Sequence, residues 1–154
     1  MAKPRWLNER QQHLWHGFRH VNQDLFGVLD QQLARESGLS GADYQVLHEL
    51  SVAPDGLVRA RDLGSEIGWD RSRLSHHLNR MEQRGLITRE ECAEDARGLM
   101  VRLTKAGRRA IEDAAPAHVA AVQRYFFDQL SNDEIETMAA VFDRVLDNLR
   151  REKA

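Results

Sequence analysis

Cysteine is nearly absent from this sequence, and so are long apolar runs. The single thiol, Cys92, cannot form a disulfide within one chain, so nothing requires an oxidising compartment. No stretch approaches the ~18 consecutive apolar residues of a membrane span, and no apolar run of signal-peptide length follows the N-terminus. We therefore expect a cytoplasmic protein with no membrane partner.

Positive charge is also scarce overall, since the formal net charge is −2. An acidic average argues against a nucleic-acid partner, because phosphate contacts need clustered cations. The charges are nevertheless segregated along the chain. Residues 71–89 hold five arginines and one glutamate, whereas residues 112–154 hold nine acidic and five basic side chains. The basic middle segment therefore predicts an anionic partner.

Patterns typical of catalysis and metal binding are missing too. The sequence has no glycine-rich phosphate loop, no nucleophile elbow and no paired carboxylates in a cleft-like context. His16 and His20 have the i, i+4 spacing of a helical metal pair, but no acidic or thiol partner stands at ligand spacing. We expect neither an enzyme nor a metal or cofactor site.

Helical periodicity dominates the first third of the chain, which at 154 residues is long enough for one domain. Apolar residues at intervals of three and four predict one long amphipathic helix over residues 7–36, ended by Gly38. Ser40, with Asp43 three residues later, resembles a helix N-terminus. A second, shorter helix then extends to a break at residues 54–56.

Two further helices and a hairpin are predicted in the middle of the chain. A third helix of about two turns covers residues 61–67, and a fourth covers residues 71–84 with Asp70 as its N-cap. After Gly85 the period changes, and two short strands flank a polar tip. These strands are predicted over residues 86–89 and 99–103, with the tip at 93–98.

Helical spacing returns from residue 104 to the end. Pro116 is expected to bend or interrupt the helix that begins there. A final helix follows Ser131, which forms a capping-box pair with Glu134.

A short helix, a tight turn, a basic helix and a β-hairpin follow one another in a winged helix-turn-helix, whose second helix enters the major groove of DNA. With Leu74, Leu78 and Met81 turned inward, the fourth helix presents hydrogen-bonding and cationic groups outward. These are Ser72, Arg73, His76, Asn79 and Arg80, with Ser75 at the edge. The predicted fold class is mainly α with a small β-wing.

The run from Gly68 to Ile87, which reads GWDRSRLSHHLNRMEQRGLI, resembles the recognition helix of MarR-family regulators. Downstream, Asp95-Ala96-Arg97 followed by VRLT and Lys105-Ala106-Gly107 looks like the wing of that family and its junction to the next helix. The resemblance covers essentially the whole chain. It implies a single domain over 1–154, with a DNA-binding lobe at 40–104 and dimerisation helices at 5–36 and 105–151.

The resemblance also implies roles for single residues. Ser72, Arg73, Ser75 and His76 would face bases or phosphates in the major groove, with Asn79 beside them, and Arg80 would hold the DNA backbone. Arg97 would enter the minor groove, oriented by Asp95. Two departures stand out: His76 replaces a frequent arginine, and Arg59 occupies the place of a small hydroxyl residue.

A homodimeric DNA-binding transcriptional regulator is therefore the expected function, with repression of nearby genes through a pseudo-palindromic operator. In MarR relatives, small anionic aromatics often bind where the two lobes meet. By resemblance, a phenolic or aromatic acid is a candidate effector here. The candidate effector residues are Trp15, His16, Arg19, Tyr44 and His48.

Two alternatives remain open at the level of sequence. One is a redox-responsive regulator acting through Cys92, although the neighbouring Glu90 and Glu91 raise the pKa of a thiol and disfavour reactivity. The other is a winged-helix module that binds a protein instead of DNA.

Overall fold

In the computed structural model, which describes residues 3–92 and 95–153, helices begin and end where local sequence favours a terminus. Helix α1 (Glu9–Ser37) ends at Gly38, whose φ of 68° lies in the left-handed region that glycine adopts without strain. Helix α2 (Gly41–Val52) begins with a reciprocal capping box between Ser40 and Asp43. Both predicted helices are confirmed to within two residues.

Helices α3 (Ala60–Ile67) and α4 (Arg71–Gln83) form the helix-turn-helix pair. Between them, Gly68 has a φ of 72°, and the carboxylate of Asp70 accepts a 2.8 Å hydrogen bond from the backbone N–H of Arg73. The predicted N-cap at Asp70 is confirmed. The caps place α4 immediately after a tight turn.

A three-stranded antiparallel sheet follows α4 and includes one strand that precedes α3. Strands β2 (Ile87–Cys92) and β3 (Asp95–Leu103) form the hairpin, and β1 (Leu57–Arg59) pairs with the other edge of β3, giving the order β1-β3-β2. The sequence analysis missed β1, because three residues carry no period and the strand exists only through pairing with distant residues such as Val101. Mainly helical structure with a small β-wing is confirmed.

The hydrophobic core joins α2, α3, α4 and the sheet with the C-terminal end of α1 and the beginning of α5 (Lys105–Tyr125). Leu33 is the core residue from α1, while apolar residues nearer the N-terminus of that helix remain exposed. From α4 the core takes the three side chains predicted to face inward, Leu74, Leu78 and Met81.

Pro116 lies inside α5 without interrupting it, so the prediction that it might break the helix was wrong on that point. Proline removes the hydrogen bond to the carbonyl four residues earlier, here that of Glu112. Both residues are exposed, so the lost bond falls on the solvent side of the helix, where water can satisfy the carbonyl. Ile111 and Ala114 meanwhile anchor the buried side.

The chain divides into two compact units, Met1–His118 and Val119–Ala154. The second unit contains the end of α5, a short 3₁₀ turn and helix α6 (Asn132–Lys153). Ser131 and Glu134 cap α6 reciprocally, as predicted. No described residue of α6 is buried, and its exposed apolar side chains include Val141, Phe142, Val145, Leu146 and Leu149.

No helix in the described part of the chain is long and apolar enough to cross a membrane.

Candidate nucleic-acid interface

The outward face of α4 is polar and basic. All six side chains predicted to lie on it are exposed: Ser72, Arg73, Ser75, His76, Asn79 and Arg80. An open groove of about 580 Å³ runs along this face and is lined by Arg71, Ser72, Ser75, His76, Asn79 and Arg89. The predicted orientation of the helix is confirmed, while the DNA contacts of its residues stay predictions.

Three nearby arginines are committed to carboxylates. Arg84 pairs with Asp43 at 2.7 Å, Arg89 with Glu82 at 3.0 Å, and Arg102 with Glu90 at 2.8 Å. The hydrogen bond from Arg89 lowers the pKa of Glu82, and the one from Arg102 lowers the pKa of Glu90. The positive charge counted from sequence over residues 71–89 is therefore partly cancelled.

The cations that remain lie on α4 itself. Among the side chains that the structure describes, no carboxylate pairs with Arg71, Arg73 or Arg80. An unneutralised guanidinium on an exposed helix face is suited to a phosphate or to a guanine edge in the major groove.

Asp43 anchors α4 from below. Its side chain is 4% exposed, and its carboxylate accepts hydrogen bonds from the backbone N–H of Ser40 at 3.0 Å and from Nη1 of Arg84 at 2.7 Å. Nε2 of His77 lies 3.0 Å from Oδ1, although its N–H does not align for a good hydrogen bond. Burial raises the pKa of Asp43, but His77 and Arg84 lower it more, so this pKa falls well below its ordinary value.

Two aromatic rings lie beneath the unpaired arginines. Nδ1 of His77 is 3.0 Å from Nη2 of Arg80. The guanidinium carbon of Arg73 is 4.3 Å from the centroid of the Trp69 ring, a cation–π distance. The rings of Trp69 and His77 meet edge to face at 5.2 Å. Sequence reasoning did not identify His77, because its neighbour His76 occupies the exposed position.

The side chain of Asn79 is oriented by Arg89. Nη2 of Arg89 lies 3.2 Å from Oδ1 of Asn79, and a guanidinium can only donate, so the amide oxygen must face it. The amide N–H groups of Asn79 are the ones left for another partner. Such donors match the acceptors on guanine and thymine edges.

The wing is described only in part. Asp95 and Arg97 lie in β3, but their side chains fall outside the described part of the chain, so their predicted contacts are not located. Nearer the base, Nη2 of Arg59 lies 3.4 Å from Sγ of half-buried Cys92. Arg59, a departure from the family pattern, thus joins β1 to the wing strand β2.

The candidate effector residues form two separate groups. Trp15, His16 and Arg19 are exposed on α1, where Trp15 stacks on Phe18 with ring centroids 5.8 Å apart and His16 contacts His20. Tyr44 stacks on His48 and contacts His118 at 4.2 Å.

His118 and its partner Gln32 were missed in sequence, since their contact spans 86 residues. Nδ1 of His118 lies 3.1 Å from Oε1 of Gln32, and burial lowers the pKa of this histidine. Trp15 precedes Gln32 by 17 residues, or ~25 Å along a helix. The structure therefore does not bring the two groups of effector candidates together within this chain.

The fold and the basic face define a class. A helix-turn-helix whose exposed second helix is followed by an antiparallel hairpin is a winged helix-turn-helix, a DNA-binding architecture. Among the described residues, no group of three or more His, Cys, Asp or Glu side chains could hold a metal ion.

Comparisons with known proteins identify the family. The model described as MarR family matches residues 37–98. AbsC, a MarR family transcriptional regulator from Streptomyces coelicolor, has a TM-score of 0.91 and 35% identity, covering 96% of this chain and 99% of its own. Sco3205, a MarR family regulator from the same organism solved in complex with DNA, has a TM-score of 0.92 and 32% identity, covering 97% of this chain and 93% of its own.

A curated relative is the uncharacterized HTH-type transcriptional regulator YdgJ of Bacillus subtilis, 28% identical over 107 residues. The match covers 70% of this chain and 62% of that protein's length. This chain belongs to the MarR family. It is a DNA-binding transcriptional regulator and not an enzyme.

Proposed function

We propose that this protein is a homodimeric repressor that reads a pseudo-palindromic operator with the exposed face of α4. The observation that carries the proposal is the set of unpaired arginines on that face, beside arginines that are already paired. In this proposal Ser72, Arg73, Ser75, His76, Asn79 and Arg80 contact the major groove, and Arg97, with Asp95 beside it, contacts the minor groove. Two copies would read half-sites ~34 Å apart.

Exposed apolar side chains support the dimer. On α1, Leu14, Trp15, Phe18 and Val21 are each at least half exposed, with Trp15 at 55%. A soluble protein rarely leaves such a stripe uncovered, and a second copy of the same chain is its simplest partner. The apolar side chains of α6 support the same conclusion in the second unit.

Removing two of the unpaired arginines should abolish tight DNA binding. We expect Arg73→Ala with Arg80→Ala to weaken binding to the DNA upstream of the protein's own gene by at least ~100-fold, at ~1.4 kcal/mol per lost charge-assisted contact. The plot of log K against log salt should become flatter by ~3 to 4, because two phosphate contacts are lost from each of two subunits. Fluorescence anisotropy over a salt series measures both quantities.

Arg10→Ala is the matched control. It also removes one exposed cation, but Arg10 precedes the core residue Leu33 by 23 positions, or ~35 Å along α1. This variant should bind DNA as the wild type does. Unchanged binding by the Arg73 and Arg80 double variant would contradict the proposal and favour the protein-interaction module.

We also propose that a small aromatic or phenolic acid releases the DNA. The supporting observation is the aromatic group around half-buried Tyr44, which has His118 on one side and exposed His48 on the other. Such a group offers a stacking surface together with imidazole donors for a carboxylate. Trp15, His16 and Arg19 remain candidates at a separate place on α1.

The same binding assay tests this release. Benzoic and phenolic acids should displace the DNA, and His48→Ala should raise the concentration needed for half displacement by ~10-fold, since an aromatic pair is worth up to ~1.5 kcal/mol. Cyclohexanecarboxylate, which has the charge without the aromatic face, is the matched control ligand. Equal displacement by the aromatic and non-aromatic acids would refute the aromatic site.

A further inference from the structure

We propose that Trp69 and His77 are positioning residues, which hold Arg73 and Arg80 in DNA-binding geometry without neutralising them. This inference rests on the proposed function, because it concerns how two arginines of that interface are oriented. His77 is buried and Trp69 is half-buried, so neither is placed to read DNA as the exposed face of α4 is.

Orientation matters because arginine side chains are flexible. A long side chain that becomes fixed only when it reaches a phosphate loses its rotamer entropy at that moment, which weakens binding. A contact that already fixes the side chain in the free protein removes part of this loss. The unpaired arginines of α4 therefore gain affinity from any partner that holds them in place.

The chemistry of the partner decides whether the charge survives. Arg84, Arg89 and Arg102 are held by carboxylates, which orient a guanidinium but cancel its charge. Arg73 and Arg80 are held by rings instead. A neutral ring orients the guanidinium and leaves its full positive charge for DNA.

His77 holds Arg80 through one defined nitrogen. Because a guanidinium only donates, Nδ1 of His77 must be the acceptor of the 3.0 Å hydrogen bond from Nη2 of Arg80. The ring proton of neutral His77 then resides on Nε2, the atom that lies 3.0 Å from the carboxylate of Asp43. Asp43 thus favours the tautomer in which His77 can accept from Arg80.

Trp69 holds Arg73 through the face of its ring. With the guanidinium carbon 4.3 Å from the ring centroid, the contact uses the face of the guanidinium. Its N–H donors lie at the edge and stay free for phosphate or a base. The edge-to-face contact between Trp69 and His77 makes the two rings one cluster with Asp43 beneath it.

Two substitutions of His77 separate the two nitrogens. His77→Asn keeps an acceptor near the position of Nδ1 but loses the group facing Asp43. His77→Gln keeps a donor near the position of Nε2 but loses the acceptor for Arg80. Both should lower the stability of the fold, so stability alone does not distinguish them, whereas DNA affinity does.

DNA binding is measured by anisotropy on folded protein, with the DNA upstream of the gene and with a random duplex of about 30 base pairs, which spans two half-sites one turn apart. We expect His77→Gln to weaken binding to both duplexes by ~10-fold, close to the effect of Arg80→Ala, since one charge-assisted contact is lost in each case. His77→Asn should restore the affinity to within ~3-fold of the wild type, because the hydrogen bond to Arg80 is retained.

A double-mutant cycle gives the decisive comparison. Adding His77→Gln to Arg80→Ala should weaken binding by no more than ~2-fold further, because His77 acts through Arg80. Additive losses, or equal losses for His77→Gln and His77→Asn, would overturn the positioning role of His77.

Trp69 is tested by the same measurement. Trp69→Phe keeps an aromatic face beneath Arg73, and Trp69→Leu removes it. We expect Trp69→Leu to weaken binding ~5-fold more than Trp69→Phe does, as suits a partly exposed cation–π contact. Equal affinities for the two variants would overturn the positioning role of Trp69.

The proposed function can fail separately. If neither Arg73→Ala nor Arg80→Ala changes DNA affinity, the interface itself is wrong. If both arginine variants weaken binding while the His77 and Trp69 pairs show no difference, the interface stands and only the positioning inference fails.

Discussion

Replacing Asp43 by asparagine is expected to lower the free energy of unfolding by ~3 kcal/mol at neutral pH, because one partner of a buried ion pair is lost. The carboxylate accepts from Ser40 and Arg84 and contacts His77. An asparagine has one acceptor oxygen and no charge, so it cannot satisfy all three groups. The substitution leaves His77 buried without its anionic neighbour.

The size of this loss depends on pH. The pKa of Asp43 in the folded protein lies below its ordinary value of 3.8, so its charge stabilises the fold fully above about pH 5. The contribution disappears as the pH falls through 3.8 toward the lowered pKa. The wild type therefore loses stability in acid that the Asp43→Asn variant never had, and the two stabilities should converge.

Urea unfolding at pH 7 and near pH 3, at one protein concentration, checks both expectations. Asp70→Asn is the matched control, since Asp70 is exposed and caps α4, and asparagine caps as well as aspartate does. A difference between Asp43→Asn and wild type that stays constant in acid would show that the charge of Asp43 is not the cause.

Gly107→Ala is expected to destabilise the fold by roughly 3 kcal/mol, through overpacking against backbone. Gly107 is buried in the first turn of α5, and a Cβ there would collide with the carbonyl oxygen of Leu86 and approach Cδ1 of Leu103 to 2.8 Å. Thr104 holds this junction closed, because its hydroxyl donates to the carbonyl of Gly85 and accepts from the N–H of Gly107. The backbone cannot move away without breaking those bonds.

Thermal unfolding should show the Gly107 effect as a fall in Tm of ~6 to 12 °C, from the scaling for chains of this size. Gly17→Ala is the comparison, because Gly17 lies inside α1 with open space where its Cβ would be. That change should raise stability by ~0.5 to 1 kcal/mol, since alanine favours helix over glycine. A shift of the same sign for both variants would mean that α5 does not approach Leu86 so closely.

Local signals account for most of what the sequence predicted. The caps at Ser40, Asp70 and Ser131 each involve residues three positions apart, so their geometry is set by the neighbouring chain. The outward face of α4 was predictable for the same reason, because helical spacing alone decides which side chains lie opposite Leu74 and Leu78.

Long-range pairing accounts for what was missed. Asp43 was recognised as a cap, but its second role depends on Arg84, 41 residues later. Arg89 was counted as a free cation because its pairing with Glu82 requires the turn into β2. His77 looked equivalent to His76 until the turn of α4 buried one and exposed the other.

The order of the sheet has a mechanical consequence for the wing. Its inner strand β3 is paired on both sides, and its partner β1 leads directly into α3. Arg89 ties the outer strand β2 to α4 through Glu82 and Asn79. The base of the wing and the two helices of the reading head therefore move as one rigid body. A signal that weakens DNA binding would act by tilting that body as a whole, and stiffening the wing alone would leave the response unchanged.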